Sequence, residues 1–106
     1  YLGHKLAALA EKHSSVGDVR GIGLFWTIEL IKDKGTKEPL RRATEKYSYT
    51  VVSKIAEYLL REKNIYIPAD KFGIWVVPPL IVTQEEIDFL VDAIDEALVI
   101  ADNEVN

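Results

Sequence analysis

A chain of 106 residues, 48% hydrophobic and 28% charged, has the balance of one folded domain able to bury a modest core. The formal charge of −4 argues against a nucleic-acid surface, which needs clustered Lys and Arg, and no apolar run is long enough to span a bilayer. Cysteine is absent, which excludes disulfides and thiolate metal sites and permits a reducing compartment; the expected location is the cytoplasm.

Residues 1–13 place Leu2, Leu6, Leu9 and His13 at intervals of three and four, a helical stripe that Ser14 to Gly17 then break. The chain opens inside this helix, contains no methionine and shows no signal-peptide pattern, so a fragment of a longer polypeptide is expected. From Asp18 to Ile31 the character is that of a strand, with Gly21 and Gly23 bending or bulging the backbone. Residues 32–47 are polar, carry Gly35 and Pro39, and read as a surface loop long enough to be functional or mobile. A helix is predicted from about Ser48 to Lys63, with Val51, Val52, Ile55, Leu59 and Leu60 on one side and Asn64 as its stop. Ile65-Tyr-Ile67 reads as a short strand, residues 68–73 as a connection, and Ile74-Trp-Val-Val77 as a second short strand closed by Pro78 and Pro79.

The last helix carries the strongest local signature. Thr83 with Glu86 three residues on makes a capping box, after which Ile87, Leu90, Val91, Ile94 and Leu98 recur on one face. The order α-β-α-β-β-α predicts an α+β domain, helices packed on a small, mainly antiparallel sheet of three to four strands.

Little in this pattern supports chemistry of its own. Gly21-Ile-Gly23 lacks the third glycine and the following helix of a dinucleotide fingerprint, so a tight turn or bulge is the better reading. His4 and His13 are nine residues apart and would not share a helical face around one metal ion. The four serines Ser14, Ser15, Ser48 and Ser53 have no elbow-glycine pattern around them. Glu85, Glu86 and Asp88 sit in the first turn of the last helix, where opposing the positive end of its dipole accounts for them. Trp26, Trp75, Tyr66 and Phe72 fit a core better than a ring-stacking site. Arg20 fits an ion pair with Asp18 or Glu29 better than a ligand contact.

A more specific expectation comes from resemblance. Val16-Gly-Asp-Val-Arg-Gly-Ile-Gly-Leu-Phe-Trp26, Thr36-Lys-Glu-Pro-Leu40, Asn64-Ile-Tyr-Ile67, Pro78-Pro-Leu-Ile-Val-Thr83 and Asp95-Glu-Ala-Leu98 through Asp102 together resemble the C-terminal small domain of the class III aminotransferases. Nearly the whole chain takes part, and five motifs in the same order are far more specific than any one. The branch that uses pyruvate with ω-amino acids or taurine looks nearest.

The resemblance implies a homodimeric enzyme dependent on pyridoxal 5'-phosphate, moving an amino group from an amine or amino acid to a 2-oxo acid. It also implies a large domain, missing here, that carries the cofactor's lysine, the aspartate on its ring nitrogen and its phosphate contacts. No segment of this chain looks like that lysine site, so residues 1–106 alone are expected neither to hold the cofactor nor to catalyse. Family members often use an arginine of this domain to grip a substrate carboxylate, the guanidinium fork matching two oxygens. The two slots for it are occupied by Trp75, three residues before the Pro-Pro pair, and by Pro68. Trp75 or the 68–73 connection is then expected to shape the pocket mouth, with Lys71 or Arg20 as a substitute cation; Trp75 as plain core stays open.

The competing expectation is a small non-enzymatic interaction module. Either way, an apolar patch left uncovered would promote self-association. The family reading further requires the Gly-Arg hairpin and the diproline strand to be neighbours.

Overall fold

The computed structural model describes residues 1–34, 38–39, 50–69, 73–78 and 81–103. The expectations placed on Ser48, Lys71, Phe72, Pro79 and Leu80, and on most of the 36–40 motif, lie outside these residues.

Helix α1 (Leu2–Lys12) forms where the stripe predicts, burying Leu2, Leu6 and Leu9. The strand-like run that follows is a hairpin rather than one bent strand. Strand β1 (Val16–Ile22) turns through Gly23 and Leu24 into β2 (Phe25–Asp33), with Ile22 opposite Phe25. Gly23 takes φ +58° at the first position of the two-residue turn, a left-handed conformation that glycine reaches without a Cβ clash. The glycine read as a bend or bulge thus reverses the chain, while the register irregularity falls earlier, between Val16 and Asp18.

Two elements intrude on the segment read as a polar loop: β2 runs on to Asp33, and β3 (Glu38–Pro39) pairs back antiparallel to it. Helix α2 covers Thr50–Lys63. Val52, Ile55 and Leu59 are buried, but Leu60 is 52% exposed and does not join them. It lies one residue, about 100° of helix, beyond Leu59 and points away from the packed face. Asn64 ends the helix at φ +56°, and the Ile65 N–H returns to the Leu59 carbonyl.

Residues 65–67 do not form the expected strand. The chain there is not assigned to a strand; next to it lie an Ala69–Ile74 bridge and a bond from the Trp75 N–H to the Pro68 carbonyl. Strand β4 (Gly73–Val76) pairs antiparallel with β2, Thr27 facing Trp75 and Ile28 facing Ile74. The hairpin and the strand before the prolines are therefore direct neighbours, as the family reading requires. Helix α3 (Gln84–Asp102) starts with the complete capping box: Thr83 Oγ1 accepts from the Glu86 N–H, and Glu86 Oε1 from the Thr83 N–H.

The result is an α+β domain with helices on a small antiparallel sheet. Alternation along β2 decides the two faces. Trp26, Ile28 and Leu30 point to the helices and join Leu6, Ile55, Leu59, Ile74, Ile94 and Leu98 in one core. Phe25, Thr27 and Glu29 occupy the opposite face. Among the described residues no helix is long and apolar enough to cross a membrane.

Candidate functional site

The two arginine slots come together. Trp75 on β4 and Pro68 on the adjoining extended segment are joined by the 2.9 Å bond from the Trp75 N–H to the Pro68 carbonyl. Both line an open groove of about 440 Å³ between β4, residues 65–68 and the start of α3. Trp75 stands there because β4 alternates: Ile74 and Val76 enter the core, leaving the indole between them on the outer side, 39% exposed. Within this domain Trp75 is therefore not among the buried core residues.

The rest of the groove is apolar, with Ile65, Val77, Pro78, Val82, Phe89 and Leu90 as the main contributors. Val82, Phe89 and Leu90 were not singled out from the sequence as site residues. Leu90 belongs to the helical stripe and reads as core, whereas Phe89 falls outside that stripe, the one available hint that it faces something else. The ionised groups at the rim are Glu85 and Glu86, and the latter is already engaged in the capping box.

Arg20 is not part of the groove lining. It shares the outer face with Trp75, in one row across three strands: Arg20 opposes Thr27, and Thr27 opposes Trp75. Its guanidinium donates to Asp18 Oδ2 at 2.9 Å and to Glu29 Oε2 at 2.8 Å. Hydrogen bonds to Glu29 and then Asp18 push its pKa above the already high guanidinium value, so it stays charged throughout the accessible range. Lys71 lies outside the described residues.

A second polar cluster joins the two ends of the domain. His13, 2% exposed, has Nε2 at 2.5 Å from Asp95 Oδ1 and Nδ1 at 2.5 Å from Asp102 Oδ2. Ser15 donates to Asp102 Oδ1 from its N–H at 3.1 Å and its Oγ at 2.7 Å, while Lys12 Nζ donates to Asp95 Oδ2 at 2.8 Å. No buried side-chain polar atom among the described residues lacks a partner, so the cluster reads as a structural clasp between the α1–β1 junction and α3. His4 is exposed on α1 and takes no part. Among the described residues no group of His, Asp or Glu is arranged to hold a metal ion.

Burial pushes both aspartates up. Hydrogen bonds from Lys12 and His13 to Asp95, and from His13 and Ser15 to Asp102, outweigh it and hold both below the ordinary value of 3.8. A folded-state value below the unfolded one stabilises the fold above the unfolded value and loses that stabilisation as pH falls through the folded values. Stability should therefore be level between neutral pH and about pH 5 and decline from about pH 4 downward. Asp102→Asn should remove about 1–2 kcal/mol at neutral pH and flatten the acid decline. Urea midpoints across pH test this, and an unaltered acid slope in the variant would reject it.

With this geometry in place, comparison with known proteins is direct. The family description "Aminotransferase class-III" matches residues 1–98. The chain is 45% identical over 99 residues to an adenosylmethionine-8-amino-7-oxononanoate aminotransferase of Methanocaldococcus jannaschii, covering 93% of this chain and 20% of the relative. It is 40% identical over 102 residues to a taurine–pyruvate aminotransferase of Rhodobacter capsulatus, covering 92% of this chain and 22% of the relative. Among solved structures, an (S)-enantioselective omega-transaminase from Thermomicrobium roseum superimposes with a TM-score of 0.80 at 31% identity, over 95% of this chain and 21% of that one. The chain thus spans about a fifth of the length of the relatives it matches. With a family match across nearly its whole length and the same fold in solved relatives, the chain belongs to the class III aminotransferases.

Proposed function

We propose that this chain is the substrate-capping small domain of a pyridoxal-phosphate-dependent aminotransferase, moving an amino group from an amine or amino acid to a 2-oxo acid. The observation that carries this reading is the joining of Trp75 and Pro68 at one groove, in a chain whose family match covers residues 1–98. The cofactor, when bound, supplies the electron sink and carries the amino group between the two substrates.

The groove does not fit the cofactor itself. Among the described residues that line it there is no lysine, and its acidic side chains suit a phosphate poorly. Among the described lysines, Lys5, Lys12 and Lys63 pair with Asp88, Asp95 and Glu96 on α3. The family reading places the cofactor's lysine and phosphate contacts in a large domain of the same enzyme, with a second copy completing a homodimer in the cytoplasm.

What these residues contribute is shape and dryness. Trp75 presents a broad apolar wall and Pro68 a rigid one, where a guanidinium would grip two carboxylate oxygens. Arg20 would have to loosen its bonds to Asp18 and Glu29 to substitute for that grip, and Lys71 remains the other candidate cation. Donors such as ω-amino acids or taurine, with pyruvate as acceptor, fit the relative of that type.

In the complete enzyme, Trp75→Ala should change the ratio of kcat/KM values among amino donors by about tenfold, the loss of roughly 1.4 kcal/mol of wall contact being worth that factor. Equal ratios across a donor panel would remove Trp75 from the pocket. Residues 1–106 mixed with pyridoxal phosphate should give no stoichiometric lysine-bound chromophore; such a chromophore with turnover would overturn the assignment of the cofactor site elsewhere.

A further inference from the structure

We infer that the clasp around His13 is an ionic latch: the ring is a buried imidazolium, and it holds the C-terminal end of α3 on the α1–β1 junction only while it keeps both protons. The ring is closed in at both nitrogens. Nε2 meets Asp95 Oδ1 and Nδ1 meets Asp102 Oδ2, each at 2.5 Å, and the side chain is 3% exposed. Burial pushes both carboxylates up, but the hydrogen bonds they accept outweigh it, so both are ionised at neutral pH. An ionised carboxylate only accepts. Each ring nitrogen must therefore carry a hydrogen, and an imidazole protonated on both is a cation. Placing either proton on its aspartate would make the carboxylate the stronger base, against an ordinary difference of roughly 2.5 pH units in favour of imidazole.

Charge and helix direction give the same answer independently. The charged groups that face the ring are Lys12 of α1 and Asp95 and Asp102 of α3. Lys34, just after β2, ties the same end of α1 through a 2.7 Å bond to the Ala10 carbonyl. Lys12 pairs with Asp95, so among the described residues the positive charge beside Asp102 comes from His13. Asp102 is also the last residue of α3, which has no basic residue in its last turn, and an anion there faces the negative end of the helix dipole. His13 caps the C-terminal end of α1, its N–H bonded to the Leu9 carbonyl at 2.9 Å. One imidazolium thus sits at the C-terminal ends of two helices, where a cation is favoured.

Loss of one proton would reverse the contact. A bare nitrogen lone pair would then face a carboxylate oxygen with no hydrogen between them, and a partly buried carboxylate would lose its counter-charge. The folded chain keeps a proton that the unfolded chain gives up, so this contribution is complete at lower pH and is lost as pH rises above neutral. The last turns of α3 then detach from the α1–β1 junction while the rest of the helix stays packed. This alkaline boundary is separate from the acid decline of the aspartates.

The test is nitrogen-15 NMR of the 106-residue chain across neutral and alkaline pH. At about pH 7.5, where a free imidazole is mostly neutral, His13 should show two protonated ring nitrogens. His4, exposed on α1, is the reference for a solvated ring. Amide exchange, corrected for its intrinsic rise with pH, supplies the second readout. Protection at Val99 to Asp102 should fall about tenfold as the second ring N–H of His13 disappears, while that at Val91 to Ile94 stays level. His13→Gln, uncharged at every pH, should show the lower protection already at neutral pH and no further step. An unprotonated ring nitrogen on His13 at neutral pH overturns the inference. So does a step that is absent from the unmodified chain or that persists in His13→Gln. Should the glutamine variant fail to fold, the spectra and exchange of the unmodified chain still decide the outcome.

Discussion

Leu98→Ala is expected to lower the free energy of unfolding by about 2–5 kcal/mol, read as a shift of the urea midpoint at unchanged slope. Leu98 is fully buried on α3, in the same core as Leu59 of α2 and Ile74 of β4. Three methylene-sized groups leave that core with the substitution, and neighbours held by a helix and a strand relax only partly into the space. A domain of this size has only about 5–15 kcal/mol in total, so one such cavity removes a large share of its stability. Val99→Ala on the same helix is the control. Val99 is half exposed, so its loss should cost no more than about 0.5 kcal/mol. Comparable losses at the two positions would show that α3 does not pack as described.

Gly73→Ala should be the second most disruptive single change. A Cβ at Gly73 would lie 2.0 Å from the Ile28 carbonyl oxygen, 2.9 Å from the carbonyl carbon and 3.0 Å from the Glu29 Cα. All three are backbone atoms of β2, so no side chain can swing aside. The β4–β2 ladder must open instead, at a cost of about 1–3 kcal/mol from overpacking, plus whatever pairing is lost. Because β4 carries Trp75, the damage should reach the groove as altered Trp75 fluorescence. Gly23→Ala separates clash from conformation: its Cβ would meet nothing within 4 Å, and only the left-handed φ of +58° opposes it. That strain should amount to about 1 kcal/mol and leave the Trp75 signal alone. If the Gly73 variant proves as stable as the parent, the close approach of the two strands is wrong.

Features written in short sequence windows were legible before the structure. The Thr83–Glu86 box and the α3 stripe need only three- and four-residue spacings, and α1 likewise follows from Leu2, Leu6 and Leu9. The partners of Arg20 could be named because Asp18 and Glu29 are local or reach it across a hairpin. Strand identity beyond the hairpin depends on distant pairing and was harder to read. Ile65-Tyr-Ile67 has the composition of a strand, yet it follows a left-handed Asn64 and the described bridge falls later, between Ala69 and Ile74. The turn at Gly23 was half visible: glycine marked it, but nothing local distinguishes a reversal from a bulge. Leu60 looked apolar enough for the core and lost its place to helical phase.

The candidate site was legible in part for the same reason. Trp75 and Pro68 were identified by likeness, and adjacency of the 65–68 segment to β4 makes them neighbours. The α3 side of the groove, including Phe89, comes from chain assembled at a distance. His13 looked like an ordinary satisfied histidine and is one, but its partners lie 82 and 89 residues away, where no spacing rule reaches.

That distance matters for how the polypeptide is born. At roughly 5–20 residues per second, translation makes Asp95 and Asp102 about 4–18 s after His13. During this interval the nascent helix and hairpin have left, or are leaving, the ribosome with a histidine whose two carboxylates do not yet exist. Closure of the clasp must wait for the turns of α3 that carry Asp95 and Asp102. Emergence of α3, rather than of the hairpin, is the event that lets this clasp close.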